Sequence, residues 1–179
     1  GMLFAHMSVN ILNEYHDFTS GLDLQTVKTP FSGGSGTLPK APEWRNATLI
    51  FAMFTLTSTI FIGLWLTWHY GWELMVIGII GIAIIIFYTN WINRHPWLCL
   101  FAPGIGFGIL PFLGIELIIM GEISVPQMLI AIIPMLLVNN LLLVNQIPDL
   151  TVDRQFGRWH LGIAYGATVV QWIYLIQVV

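Results

Sequence analysis

Apolar residues gather in five long runs, separated by short polar connections, from residue 47 to the end of the chain. The runs cover approximately Ala47–Trp68, Trp72–Thr89, Trp97–Met120, Val125–Ile147 and Leu161–Val179. Each reaches or approaches the roughly 20 residues that an α-helix needs to cross a bilayer. Backbone polar groups in hydrocarbon must be satisfied within their own segment, which favours helices. The runs are too long and too evenly apolar for the alternating strands of a barrel. The pattern predicts an all-α, polytopic transmembrane bundle, a single domain over residues 1–179.

Composition supports this reading. Hydrophobic residues make up 56% of the 179 and charged residues only 8%, against about a quarter charged in soluble domains. The chain is therefore expected in a lipid bilayer. Six Lys and Arg residues cannot build a stripe that follows a phosphate backbone, which argues against nucleic acid. The single cysteine, Cys99, allows no internal disulfide. Lys28, Lys40, Arg45, Arg94, Arg154 and Arg158 all fall in segments on one side of the predicted spans. The positive-inside rule makes that side cytoplasmic, as in a multi-pass protein of the cell membrane.

Two polar motifs interrupt the apolar pattern. The first runs from Asn10 through Asn13 and Asp17 to Gly21 and Asp23. If 3–20 is helical, Asn10, Asn13 and Asp17 share one face, and Gly21 suits the helix C-terminus with Asp23 just beyond. The second, Asn145-Gln146-Ile147-Pro148-Asp149-Leu150-Thr151-Val152-Asp153-Arg154, places Asn145, Asp149 and Asp153 at intervals of four. Pro148 is expected to kink that helix or start a new one. Between Leu24 and Glu43 lies a loop by composition, without the Gly-Lys-Ser/Thr of a phosphate-binding loop. Gly104, Gly106 and Gly108 lie inside an apolar run, where they suit close helix packing or a slot for a lipid tail.

Loop alternation brings both motifs to the same face. Asp17, Asp23, Asp149 and Asp153 gathered there would repel one another unless a cation intervened. Mg²⁺ takes oxygen ligands, commonly one or two carboxylates with substrate phosphates. The motifs therefore suit a metal-bridged diphosphate whose tail descends into the bundle. The bland alternative is solvated helix ends and asparagines that only tie neighbouring helices. Glu116 is either an intramembrane functional carboxylate or an acid near the opposite interface. The five histidines show no zinc spacing.

With these motifs the sequence resembles the UbiA superfamily of prenyltransferases. The segment from Asn13 to Asp23 is similar to that family's Asn-x-x-x-Asp signature. Residues 145–154 followed by Gly157 resemble the second motif of its 1,4-dihydroxy-2-naphthoate polyprenyltransferase branch, as do Pro30 to Pro39 and Tyr88-Thr89. There are departures. Glu14 and Gln146 stand where the branch often has Asp and Glu. Gly157-Arg158-Trp159-His160 replaces Gly-Lys-Arg-Thr, leaving Arg154 and Arg158 as the nearest basic substitutes.

The resemblance implies an incomplete UbiA-like bundle that begins and ends inside helices of a larger one. It implies Mg²⁺-dependent transfer of a polyprenyl group from a polyprenyl diphosphate to an aromatic acceptor such as a dihydroxynaphthoate, in quinone biosynthesis. Asp17, Asp149 and Asp153 would be catalytic. Asn13, Asp17, Asp23, Asp149 and Asp153 would hold metal; Lys28, Arg94 and Arg154 would contact diphosphate. Asn10, Asn145 and Tyr88 would orient the acceptor. Alternatives are a glycerol-phosphate, haem or chlorophyll-type acceptor, an ion-coupled transporter, or an inactive membrane fragment.

Overall fold

The computed structural model describes residues 1–26 and 34–179. Lys28, a candidate diphosphate ligand, and Pro30 at the head of the loop lie outside them. Helix α1 (Met2–Ser20) carries the first motif and ends where Gly21 enters the left-handed region at φ 88°, its N–H donating to Phe18 O. Only glycine adopts that conformation freely. A single-turn helix, α2 (Leu22–Gln25), follows and contains Asp23. Another short turn, α3 (Thr37–Lys40), leads to α4 (Arg45–Tyr70), along which α1 packs.

Helix α5 (Glu73–Phe87) returns to a 3₁₀ turn at Ile92–Arg94. Helix α6 (Pro96–Gly104) runs through a wide π-turn, Ile105–Ile109, into α7 (Leu110–Met120). Left-handed Gly121 (φ 76°) stops α7, and a Ser124–Gln127 capping box starts α8 (Val125–Gln146). The chain turns through Ile147-Pro148-Asp149 into α9 (Leu150–Gln155), so Pro148 precedes a new helix rather than kinking the old one. Among the described residues there is no strand.

Pro42–Tyr70, Pro96–Met120 and Val125–Gln146 are long and apolar enough to cross a membrane. The other two runs form shorter apolar helices than their hydropathy suggests. Between Trp72 and Thr89 the helix occupies 15 residues. The stretch 161–179 is not one helix, because Gly166 (φ 83°) divides it into α10 (Leu161–Tyr165) and α11 (Ala167–Val178). Hydropathy cannot see such a break, since glycine barely lowers the mean.

Large apolar side chains such as Phe54, Phe61, Ile79, Ile119 and Leu137 face outward. Outward apolar surface suits lipid rather than water, where patches of this kind cause association. Small residues sit where helices touch. A Cβ on Gly104 would stand 2.6 Å from Met135 O, and one on Gly108 2.5 Å from Met135 N. These glycines let the π-turn and α6 press against the α8 backbone, in the manner of close membrane-helix packing.

Candidate active site

The two motifs meet through Arg158. Helix α9 ends at a turn in which Gly157 takes φ 78° and the Arg158 N–H donates to Asp153 O at 3.0 Å. That reversal carries the Arg158 side chain back over its own helix. Its Nη1 donates to Asp153 Oδ1 at 2.9 Å, and its Nη2 forms a close ion pair with Asp17 Oδ1 from α1. One guanidinium thus bridges carboxylates from opposite ends of the sequence. A planar fork with several donors suits such a bridge better than a lysine would.

The remaining oxygens of both carboxylates are also engaged. Asn13 Nδ2 donates to Asp17 Oδ2 at 2.8 Å, the i to i+4 contact that their spacing on α1 allows. Thr89 Oγ1, just past α5, donates to Asn13 Oδ1 at 3.1 Å. On the other side, His160 Nε2 lies 3.2 Å from Asp153 Oδ2. Asp153 and His160 are each 2% exposed. A buried carboxylate requires such partners, because desolvation would otherwise favour its neutral form.

Electrostatics confirm a surplus of negative charge. Burial, then the nearby Asp17 and Glu14 charges, push the Asp23 carboxyl up to about 6; Arg158 pulls the other way and Asp149 adds to the rise. For Arg158, burial opposes the charge, but Asp17 and Asp153 outweigh it and hold its pKa above the ordinary value. Helix α2 packs on α9, which brings Asp23 to the second motif.

The structure treats the other sequence candidates unequally. Asp149 precedes α9, and its carbonyl accepts from Asp153 N at 2.8 Å. Arg154 is exposed and stacks over Trp159, 6.0 Å from the ring centroid, rather than joining the carboxylates. Arg94 is exposed on its 3₁₀ turn, which the Trp159 N–H fastens to the second motif by donating to Asn93 O at 2.9 Å. Asn10 is exposed and donates to His6 O on its own helix, at 2.9 Å. Asn145 is half-buried near the end of α8. Tyr88 packs against the cluster of Val9, Leu56 and Ile85. Gln146 Nε2 donates to Cys99 Sγ at 3.2 Å, so the residue standing for the branch's Glu faces a thiol rather than the carboxylates.

Sequence reasoning put little weight on Arg158 and set His160 aside with the other histidines. Glycine at 157 was the available signal, since a left-handed turn there folds both residues back onto Asp153. Glu116 lies by the turn between α7 and α8, where Gln127 Nε2 donates to it at 2.6 Å, away from the carboxylates. Of its two readings, the opposite interface is the one the fold supports.

The donor set fits a hard dication in chemistry: oxygen atoms only, with carboxylates in excess of the one guanidinium among them. Among the described residues, however, no three acidic, histidine or cysteine side chains stand close enough to hold a metal as they are. The Arg158 guanidinium lies between Asp17 and Asp153 instead.

Comparison with known proteins agrees with the motifs. The sequence pattern of the UbiA prenyltransferase family matches residues 1–179. The chain belongs to that family. It is 32% identical over 171 residues to a 1,4-dihydroxy-2-naphthoate octaprenyltransferase of Bacillus subtilis (strain 168), covering 92% of this chain and 52% of the relative. This UbiA-family chain therefore spans about half the length of the curated relative it matches. No solved structure matches it. Membership agrees with the all-helical membrane architecture and with paired aspartate motifs at one end of the bundle.

Proposed function

We propose that the protein transfers a polyprenyl group from an allylic diphosphate to an aromatic acceptor, using Mg²⁺, with a dihydroxynaphthoate as acceptor and quinone biosynthesis as its setting. The observation that carries this reading is the joining of Asp17 and Asp153 by one guanidinium, which brings the first and second motifs to a single site. The name of the Bacillus relative supports the choice of acceptor. Location supports transfer over ion transport. Asp17 and Asp149 lie at helix ends, whereas transporter sites lie near the midplane at broken helices.

Asn13, Asp17, Asp149 and Asp153 would hold Mg²⁺, with Asp23 a further donor. When bound, the ion neutralises charge that grows on the departing diphosphate. Lys28, Arg94 and Arg154 are proposed to hold phosphate oxygens, and Asn10, Asn145 and Tyr88 to orient the acceptor. In the reaction the allylic C–O bond breaks and its electron pair leaves with diphosphate. A ring carbon of the acceptor then bonds to the allylic carbon through a ring electron pair, and that carbon's bond to its proton or carboxylate breaks, returning the pair to the ring and releasing H⁺ or carbon dioxide. The apolar bundle excludes water that would trap the allylic cation, and aromatic faces stabilise it. The protein is placed in the cell membrane with the motif face cytoplasmic, on the strength of its basic loops.

The test uses membranes containing the full-length protein, radiolabelled polyprenyl diphosphate, Mg²⁺ and dihydroxynaphthoate. Prenylated product is expected, and Asp17→Asn and Asp149→Asn should each abolish it. Undiminished product in both variants would overturn the site; product in excess EDTA would overturn the metal.

A further inference from the structure

We propose that Arg158 is a resident counter-cation of the two aspartate motifs, and that it leaves them for the diphosphate only when metal and diphosphate arrive together. The inference rests on the proposed assignment of Asp17 and Asp153 as metal ligands. All four oxygens of these carboxylates already have partners. Asp17 Oδ1 and Asp153 Oδ1 receive Arg158, Asp17 Oδ2 receives Asn13, and Asp153 Oδ2 faces His160. Each oxygen keeps a second lone pair, but the Arg158 guanidinium lies between the two motifs, so a metal that bridges both carboxylates must displace it.

Arg158 is the partner whose departure opens most. Releasing that one side chain frees an oxygen on each motif at once. Asn13 is held in place from behind by Thr89, and His160 is packed at 2% exposure. The Arg158 side chain is 19% exposed, so it has a route outward.

Charge then sets the order of binding. Metal alone would place a dication beside a guanidinium that is already satisfied, and like charges at that separation oppose one another. Diphosphate alone would meet carboxylates that repel it. Arriving together, the metal replaces Arg158 on the carboxylates while phosphate oxygens accept the released fork, a strong bidentate arrangement. Arg158 would thus hold the mouth of the site assembled between turnovers and admit metal only with its substrate.

The experiment measures Mn²⁺ binding to the full-length protein in detergent by electron paramagnetic resonance, without diphosphate. Arg158→Gln is expected to bind Mn²⁺ at least about tenfold more tightly than the parent, because the competing cation is gone. Arg158→Lys, which keeps a charge near the carboxylates, should stay within about threefold of the parent. Equal affinity in the parent and Arg158→Gln would overturn the proposal.

A second measurement needs no variant and covers the case in which Arg158→Gln does not fold. Thermal stability of the parent is followed with Mg²⁺, with inorganic pyrophosphate, and with both. The joint shift should exceed the sum of the separate shifts; a shift with Mg²⁺ alone as large as the joint one would overturn the proposal. A parent that responds to neither Mn²⁺ nor the Mg²⁺–pyrophosphate pair defeats the metal-diphosphate reading and this proposal with it. A parent stabilised by the pair, with Mn²⁺ affinity indifferent to Arg158→Gln, defeats this proposal alone.

Discussion

Thr89 donates a hydrogen bond to Asn13 across 76 residues of sequence, at 3.1 Å, while Asn13 itself donates to Asp17. The end of α5 thereby fixes which way the Asn13 amide faces, and so how Asp17 presents its second oxygen. Thr89→Val removes a bond worth about 1 kcal/mol. The Mg²⁺ concentration for half-maximal prenyl transfer should rise about fivefold, and Thr89→Ser should restore it. A Mg²⁺ titration of transfer in membranes checks this; an unchanged midpoint in Thr89→Val speaks against it.

Asp23 supplies a pH dependence. Its carboxyl is raised from 3.8 to about 6, so between those values the folded protein holds a proton that the unfolded chain has released. Stability in the absence of cation must then fall as pH rises through that window. Asp23→Asn abolishes the loss. In EDTA the variant should melt above the parent at pH 7 and close to it at pH 4, by a modest margin because the group is half-buried. Parallel melting curves at the two pH values would contradict the assignment.

Two glycines in one run should behave differently. A Cβ on Gly108 collides with the α8 backbone at 2.5 Å, whereas one on Gly106 would rest 3.5 Å from the Ile84 side chain. Gly108→Ala should destabilise the protein by about 1–3 kcal/mol, and Gly106→Ala should be tolerated. Thermal unfolding in detergent distinguishes them.

Glu116 offers a control. Gln in its place can still exchange a hydrogen bond with Gln127, so Glu116→Gln should leave transfer within about twofold of the parent. A loss comparable to that of Asp17→Asn would place Glu116 in the chemistry after all.

The helical class and both aspartate motifs were legible in the sequence for physical reasons. Long apolar runs leave the backbone one option in lipid, and Asn13 with Asp17 shares a face through helical spacing alone. What sequence hid depends on turns and on tertiary direction. Arg154 and Arg158 look equivalent on paper. The reversal at Gly157 sends one across both motifs, while Arg154 lies over Trp159. His160 looked like one histidine among five, yet burial against Asp153 separates it from the rest. Gly166 was invisible to hydropathy although it cuts a predicted span in two.

The π-turn at Ile105–Ile109 has a geometric effect on everything beyond it. Such a turn accommodates one residue more than the α-helical turn it replaces, and each residue rotates a helix by about 100°. Deleting one residue there would restore an α-helical turn and leave the following helix facing as it does, whereas the same deletion within α7 would swing the rest of that helix by about that angle. With the extra residue held in the turn, Leu117 stays buried and Glu116 stays beside Gln127. A related protein with a regular helix at this point would need a one-residue gap in its alignment, and without that gap every later position would be assigned to the wrong side of the bundle.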